Sequence, residues 1–235
     1  MKKIGILQSN YIPWKGYFDL INQVDEFILF DEMQYTRNDW RNRNKIKTSN
    51  GTIWLSIPVE TKNHRNKKIS EITIADPKWA IKHWTSIKHA YSKAPYFKEY
   101  EDLFRSLYSS VEKEMFLSKI NYKFIQAICN ILRINTTITF DRDYGIIEGK
   151  TERLVDLCKR ANGSHYISGP AAKDYLDESL FQTENINVSW MDYSHYATYP
   201  QIHGEFEHAV SILDVIFNCG QDASLFSINH NIQMN

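Results

Sequence analysis

The stretch that most constrains the fold is residues 4–31, in which two short apolar runs flank a helical pattern. Residues 4–7 and 27–30 are apolar and short enough to be buried strands. Between them, a loop containing a proline and a glycine precedes a segment whose apolar side chains recur every three residues. This order of strand, loop, helix and strand predicts the crossover unit of a parallel α/β sheet.

Polar and aromatic side chains follow both predicted strands of this unit. Ligands of parallel sheets bind at the carboxyl ends of the strands, beside the amino ends of the helices, so we expect a site at this corner. Its candidate residues are Gln8, Tyr11, Trp14, Lys15 and Asp31. The alternative is that the aromatic rings only fill the end of the sheet.

The next segment, residues 33–47, combines cationic, amide and aromatic side chains. Arginine offers a planar fork of donors for phosphate or carboxylate groups, and Tyr or Trp rings can stack on a base or a sugar. The candidate binding residues here are Tyr35, Arg37, Trp40, Arg41 and Arg43. The alternative is an exposed basic loop leading into a β-hairpin over residues 45–59, after which residues 60–68 are expected to form a mobile basic loop.

The middle of the chain is rich in helical patterns. A helix is expected after the Asp-Pro pair at residues 76–77, and it carries His83 and His89. Their separation of six residues does not place two metal ligands on one face of a helix. A role in proton transfer or in hydrogen-bond donation to a phosphate therefore fits these histidines better than metal binding. The alternative for either histidine is a packed side chain with its polar atoms satisfied. Further helices are expected over residues 96–108 and 111–132.

Strand and helix patterns alternate again towards the end of the chain. Strands are expected at residues 69–74, 136–140, 165–168 and 186–190, and helices at residues 149–162 and 206–217. A second candidate ligand loop contains Ser168, Gly169, Lys173 and Tyr175, although Ser-Gly-Pro is also an ordinary turn. The predicted fold is α/β: one domain over residues 1–235, with a mostly parallel central sheet flanked by helices and a helical insertion or cap at about residues 76–135.

Composition excludes several classes of protein. Because the net charge is zero, no global attraction to nucleic acid or membranes is expected. The charge is unevenly distributed, since residues 1–100 carry 17 Lys and Arg against 10 Asp and Glu. No apolar run approaches the ~18 residues of a membrane span, and we expect a cytoplasmic protein without a signal peptide. Cys129, Cys158 and Cys219 are predicted to be buried thiols. No phosphate-loop, dinucleotide or Gly-x-Ser-x-Gly motif is present, so motifs alone name no reaction.

Several long segments resemble the WbqC-like protein family, in order over residues 4–220: LQSNYIPWKGYFDLI, FDEMQYTRNDWRNRN, IKHAYSKAPYF, TERLVDLCK, YISGPAAKDYLD and SILDVIFN. That family is associated with bacterial O-antigen and other surface-polysaccharide gene clusters. The resemblance implies a cytoplasmic role in making or modifying a nucleotide-activated sugar. The motif positions are Gln8, Tyr11, Pro13, Trp14, Gly16, Asp31, Tyr35, Arg37, Trp40, Arg41, Arg43, His89, Tyr91, Ser168, Gly169 and Tyr175.

The first strand, aromatic loop, helix and second strand are also similar to the nucleotidyltransferase and ligase superfamily that carries a His-x-Gly-His loop. This chain lacks both histidines and has Lys15, Gly16 and Tyr17 nearby instead. In an adenylating site of this kind, Lys15 with Arg41 or Arg43 would hold the phosphates. A shared fold does not by itself give a shared function.

Two classes of function stay open. In the first, the protein is an enzyme that forms an amide on a nucleotide-linked amino sugar, with ATP or an activated acyl or aminoacyl donor. In the second, it is a non-catalytic binding or scaffold protein of the polysaccharide assembly machinery. A glycosyltransferase is a third interpretation, because Asp141 and Asp143 form a short Asp-x-Asp match.

For the amide-forming enzyme, direct transfer between two bound substrates is expected, since no Ser-His motif and no cysteine in a cationic setting is visible. Arg41, Arg43 and Lys15 would hold phosphates. His89 or His83 would take the amine proton, and Asp31 would orient a sugar hydroxyl or the amine. The expected partners are therefore a nucleotide-linked sugar and an acyl or aminoacyl donor.

Overall fold

A computed structural model describes residues 1–60, 67–145 and 149–228. The strands are β1 Lys3–Leu7, β2 Glu26–Leu29, β3 Arg43–Thr48, β4 Gly51–Ser56, β5 Thr137–Phe140, β6 His165–Ser168 and β7 Asn187–Trp190. The helices are α1 Lys15–Asn22, α2 Trp79–Tyr91, α3 Phe97–Ser110, α4 Leu117–Ile131, α5 Thr151–Arg160, α6 Glu178–Thr183, α7 Ile212–Cys219 and α8 Ala223–Ser227. Most of the basic loop predicted at residues 60–68 lies outside the described residues.

Five strands form one sheet in the order β5-β2-β1-β6-β7, and all neighbouring strands in it are parallel. The chain builds outward from β1 through β2 to β5, then returns to place β6 on the other side of β1. The direction of winding therefore reverses between β1 and β6, which makes their carboxyl ends the switch point where ligands of such sheets bind. The predicted, mostly parallel sheet with flanking helices is confirmed.

Alternation along the strands sends side chains into two cores. Ile4, Ile6 and Ile28 belong to a smaller core with residues of α5 and α6. Phe27 and Leu29 belong to a larger core with residues of α1, α4 and α7. A strand that is buried on both faces favours apolar residues at successive positions, which explains the apolar runs at residues 4–7 and 27–30.

The middle helices α2, α3 and α4 pack into the larger core. Trp79, Tyr108 and Phe124, one from each helix, surround Tyr11 in the loop after β1. The ring centroids in this group are 4.8 to 6.1 Å apart, in edge-to-face geometry. The helical region predicted at about residues 76–135 thus shares its core with the sheet and anchors the β1 loop.

Two elements differ from the sequence prediction in this middle region. Residues 69–74 were predicted to be a strand, but Ile69–Glu71 form a 3₁₀ turn, because the Glu71 carboxylate accepts the Lys68 backbone N–H at 2.9 Å. The helix predicted from residue 111 begins at Leu117. The backbone N–H of Leu117 donates to the carbonyl oxygen of Ile72 at 2.9 Å. This contact holds the residues before Leu117 in a conformation that is not helical.

The helix predicted from residue 206 begins at Ile212, where the Ser211 hydroxyl accepts the Leu213 N–H at 3.3 Å. Residues 191–210, which we call the strap, contain neither helix nor strand. The strap is tied to α7 through the buried carboxylate of Asp214, which accepts hydrogen bonds of 2.8 Å from both Tyr199 and Gln201. Phe206, which the prediction placed in the helix, lies instead in the strap and packs edge-on against Tyr199, with ring centroids 5.0 Å apart.

Across the described residues no helix is long and apolar enough to cross a membrane. All three cysteines are free and buried, as predicted. Burial raises the pKa of the Cys129 and Cys219 thiols to about 12, and it raises the pKa of Cys158 as well. These thiols are packing groups at neutral pH.

We predict that the folded protein reacts slowly with the thiolate-directed reagent DTNB and that all three thiols react promptly in guanidinium chloride. The thiolate is the reactive form, so burial and a raised pKa oppose reaction together. Counting titrated thiols before and after denaturation makes the measurement. Rapid stoichiometric labelling of one cysteine in the folded protein would contradict the packing described.

Candidate functional site

The two loops that leave the switch point meet around one tyrosine of the strap. Tyr193 packs edge-on against Trp14 of the β1 loop, with ring centroids 5.1 Å apart. On the other side, a Cβ atom added to Gly169 would lie 3.7 Å from the Tyr193 hydroxyl. Gly169 directly follows β6, so the structure brings the two separately predicted ligand loops together at this edge of the sheet.

Arg41 joins the cationic segment to the residues that follow β1. Its guanidinium donates to Gln8 Oε1 at 3.2 Å and to Asn10 Oδ1, and it lies 3.5 Å from the Asp39 carboxylate. Two of these three partners are neutral amides, so Asp39 alone balances the charge among them. The Arg41 side chain is 13% exposed, and an arginine fork with one carboxylate at the end of a central strand can bind a phosphate group.

Asp31, which follows β2, fixes the backbone of the β1 loop. It is 1% exposed and accepts the Ser9 N–H at 2.8 Å and the Ser118 hydroxyl. Burial raises the pKa of this carboxyl, and the hydrogen bonds from Ser118 and Ser9 oppose that rise. Asn121 adds to the same anchorage by donating to the Ser9 hydroxyl at 3.1 Å. Asp31 therefore acts on the site through the position of the loop.

A second buried carboxyl, Asp141, lies at the end of β5 and was considered from sequence only as part of the short Asp-x-Asp match. It is 2% exposed, accepts the Glu32 N–H at 3.0 Å and lies 3.7 Å from Arg153. Burial raises its pKa to about 6, and the charge of Asp31 adds to that effect. The signal that could have identified it is the one that identified Asp31: an acid directly after an apolar strand.

The other half of the Asp-x-Asp match has a separate role. The Asp143 carboxylate accepts the Phe140 N–H at 2.9 Å, within the 3₁₀ turn that follows β5. Across the described residues, no three His, Cys, Asp or Glu side chains come together as a metal site.

Lys15 is enclosed by the strap. Its ammonium nitrogen lies 4.7 Å from the ring centroid of Tyr196, 5.5 Å from that of Tyr199 and 5.8 Å from that of Phe206. The side chain is buried, and burial lowers its pKa to about 8, against the raising effect of Cys219 and Asp214. A phosphate would reach this ammonium only if the strap moved, so Lys15 contacts rings where a phosphate partner was expected.

His83 and Tyr11 form a closed buried network. The Tyr11 hydroxyl lies 2.9 Å from His83 Nδ1 and 2.6 Å from the Tyr108 hydroxyl, and His83 Nε2 lies 3.2 Å from the Ser56 carbonyl oxygen. Burial lowers the pKa of His83 to about 4, so the ring is neutral at neutral pH. Because the Ser56 oxygen can only accept, Nε2 carries the proton and Nδ1 accepts from Tyr11. His89, on the same helix, is exposed.

The remaining residues of the cationic segment lie on the β3–β4 hairpin and its approach. The Arg43 guanidinium lies 4.2 Å from the ring centroid of Trp54, and the Trp40 and Trp54 rings are 5.4 Å apart. Trp40, Trp54 and Arg37 are exposed. Trp54 was not among the predicted binding residues, although it alternates with buried Leu55 on an exposed strand. Trp40 directly precedes Arg41 in the sequence.

Tyr35 and the residues after β6 are placed as follows. Tyr35 is buried and donates from its hydroxyl to Asn42 Oδ1 at 3.0 Å. Ser168 is also buried and accepts from the Tyr166 hydroxyl at 3.2 Å. Lys173 extends over Trp190, with its ammonium 5.7 Å from the ring centroid, and Tyr175 is 68% exposed. Only the first two residues of this predicted loop, Ser168 and Gly169, lie directly at the switch point.

The fold and the site define a doubly wound α/β protein with an arginine-bearing polar site at the switch point of its sheet. The chain belongs to the WbqC-like protein family, whose model matches residues 8–225. It is 48% identical over 223 residues to the uncharacterized protein Rv1507c of Mycobacterium tuberculosis, a match that covers 95% of this chain and 96% of the relative. No solved structure matches the chain.

We predict that Asp141→Asn stabilises the protein at neutral pH. The raised pKa means that the folded state binds the Asp141 proton more tightly than the unfolded chain does. The stability that this proton gives the folded protein is therefore fully present below the ordinary pKa of 3.8 and is lost as the pH rises through about 6. Removing the ionisable group should raise the free energy of unfolding by about 1–3 kcal/mol near neutrality, and by much less at about pH 4.

Urea denaturation across this pH range makes the measurement, with Asp102→Asn on the exposed face of α3 as the matched control. The expected signature is a difference between variant and parent that grows with pH. A destabilisation of equal size at every pH would show that Asp141 is held as a stabilising carboxylate.

Proposed function

We propose that the protein is an enzyme of O-antigen or surface-polysaccharide biosynthesis that transfers an acyl or aminoacyl group to a nucleotide-activated amino sugar. The observation that carries the proposal is the Arg41 fork, which lies at the end of β1 and contacts Gln8 and Asn10. The fork is an anion-binding group that lies at the switch point of a doubly wound sheet, where nucleotides bind in folds of this kind. The polysaccharide context of the proposal is what the resemblance to the WbqC-like family implies.

Each part of such a substrate has a matching group at this edge. Arg41 has five guanidinium N–H groups, and its hydrogen bonds to Gln8 and Asn10 use two of them, so others are left for the diphosphate. Trp14 and Tyr193 offer ring faces for the sugar or the base, and the amides of Gln8 and Asn10 suit sugar hydroxyls. Arg43 and Trp40, at the start of the hairpin, offer a further anion-binding group and a further ring for stacking. Lys15 has a positioning role in the proposal, because its cation–π contacts hold the strap against α1.

In the proposed reaction, the sugar amine attacks the carbonyl carbon of the activated donor. A C–N bond forms, the leaving group departs with the electron pair of its bond to the carbonyl carbon, and the nitrogen gives up one proton. Of the two histidines considered as the base, His89 is exposed, whereas both ring nitrogens of His83 are engaged. Direct transfer suits the chain because its three thiols are buried, which disfavours a thioester intermediate.

A non-catalytic nucleotide-sugar-binding or scaffold role is the second candidate. Three of the proposed catalytic side chains, Asp31, His83 and Lys15, are buried with their polar groups engaged. A protein that only binds needs the anion fork and the rings but no exposed base. Binding and turnover must therefore be measured separately.

We predict that Arg41→Lys lowers the affinity for a UDP-linked sugar by ~1–3 kcal/mol, the range for charge-assisted hydrogen bonds. The substitution keeps the charge but removes the fork. Isothermal titration measures the affinity, and thermal melting of both proteins shows whether the contacts to Gln8 and Asn10 matter for folding. Arg105→Lys, at an exposed α3 ion pair, is the matched control and should bind as the parent does. Equal affinities for all three proteins would remove Arg41 from the site.

We predict a mass gain on a nucleotide-linked 4-amino sugar when it is incubated with the protein, ATP and glycine, or with an acyl-carrier donor. The product should be lost in His89→Ala and retained in Lys88→Ala, whose exposed side chain is adjacent on α2. Mass spectrometry of the sugar makes the measurement. Binding of the nucleotide sugar without product from any donor would instead support the scaffold role.

A further inference from the structure

The β3–β4 hairpin has one covered edge and one open edge. On the β3 side, the carbonyl oxygen of Lys45 accepts the Ser211 N–H at 2.8 Å. On the same side, the Lys47 N–H donates to the Tyr91 hydroxyl at 3.0 Å. On the β4 side, no further strand is paired within the described residues. An unpaired strand edge presents a row of backbone donors and acceptors with which a strand of another chain can pair.

The register of the hairpin determines which backbone groups of β4 point outward. The ladder continues past the strands, where the Ile57 N–H donates to the Asn42 carbonyl oxygen at 2.7 Å. Bonded and non-bonded pairs alternate in an antiparallel ladder, so Thr52, Trp54 and Ser56 turn their backbone groups away from β3. The Ser56 carbonyl oxygen already accepts a hydrogen bond from the imidazole on α2. Within the described residues, the outward groups of Thr52 and Trp54 have no partner.

This edge lacks the features that usually keep exposed strands apart. Natural edge strands are protected by charged residues, by proline or by a β-bulge. The sequence of β4 is GTIWLS, with no charge and no proline, and its pairing with β3 runs without a bulge from Gly51 to Ser56. Its Ile53 and Trp54 side chains are 40% and 42% exposed. The strand therefore combines free backbone groups with uncharged, apolar side chains, which favours pairing with another strand.

We propose that β4 pairs antiparallel with β4 of a second copy of this chain, about a two-fold axis at Ile53. In this register Thr52 of each copy lies opposite Trp54 of the other, and the two residues exchange both of their backbone hydrogen bonds. Ile53 lies opposite its counterpart in a non-bonded pair, where side chains approach each other closely. The two hairpins then form one four-stranded sheet. The contact is independent of the reaction proposed at the carboxyl edge of the main sheet.

The symmetry of the open stretch favours a second copy over an unrelated strand. Because α2 covers the edge at Ser56, the open stretch is centred on Ile53, and one register satisfies the outward groups of both copies at once. No charged side chain of β4 opposes a like charge across the axis. Trp54 opposite Thr52 is an aromatic side chain beside a β-branched one, which is a favourable cross-strand pair.

Association is measured by analytical ultracentrifugation of the full-length protein over a range of concentrations. The contact is small for a specific interface, so we expect a dimer that dissociates on dilution. Ile53→Lys places like charges opposite each other at the axis and should leave monomer alone. Leu103→Lys is the matched control on α3, with a similarly exposed side chain, and should dimerise as the parent does. Thermal melting of both variants shows whether they are folded.

Cysteine substitutions on the same strand test the register. The Cα atoms of a non-bonded pair are about 4.5 Å apart, so Ile53→Cys should form a disulfide between two copies under mild oxidation. Thr52→Cys is the matched control, because the two copies of this position lie diagonally, ~7–8 Å apart, beyond the reach of a disulfide. The native thiols are buried and do not compete.

Monomer alone at every concentration of the parent up to ~1 mM would overturn the proposal. A dimer that folded Ile53→Lys still forms would place the contact elsewhere, and so would a dimer that Leu103→Lys breaks. Either result would overturn the proposal as well. Failure of Ile53→Cys to cross-link, or equal cross-linking of Ile53→Cys and Thr52→Cys, would exclude the register with its axis at Ile53.

Discussion

The hydrogen bond from the Ser9 backbone to the buried carboxylate of Asp31 is the contact on which the site depends. It joins the residue after β1 to the residue after β2, so the loop cannot shift without breaking a buried charge-assisted bond. Gln8 and Asn10 flank Ser9, and both contact Arg41. The arginine fork is therefore held in place by groups that are themselves fixed by Asp31.

The strap provides the other half of the arrangement. Asp214 accepts hydrogen bonds from Tyr199 and Gln201, and Lys15 lies among the rings of the same segment. A buried carboxylate and a buried ammonium thus hold one irregular segment at two points. This anchorage carries Tyr193 to Trp14 and Gly169, where the loops after β1 and β6 meet. The buried polar groups of Asp214 and Lys15 therefore determine which aromatic rings of the strap lie at the switch point.

The β1–α1–β2 unit could be predicted because two short apolar runs flank a helical pattern. The strands expected at 165–168 and 186–190 could be predicted because Tyr, Ile, Val and Trp side chains favour strands. The meeting of Arg41 with Gln8 also follows from chain order, since both come after neighbouring parallel strands. The enclosure of Lys15 could not be predicted, because its rings lie about 180 positions further along the chain and no local pattern encodes that contact.

Co-crystallisation of the protein with a UDP-linked amino sugar tests the central claim most directly, because it locates the substrate without assuming a reaction. The account predicts the diphosphate within hydrogen-bonding distance of the Arg41 guanidinium and a sugar or base ring against Trp14 or Tyr193. A nucleotide sugar bound away from the carboxyl ends of β1 and β6, with the Arg41 fork still occupied only by Gln8, Asn10 and Asp39, would contradict it.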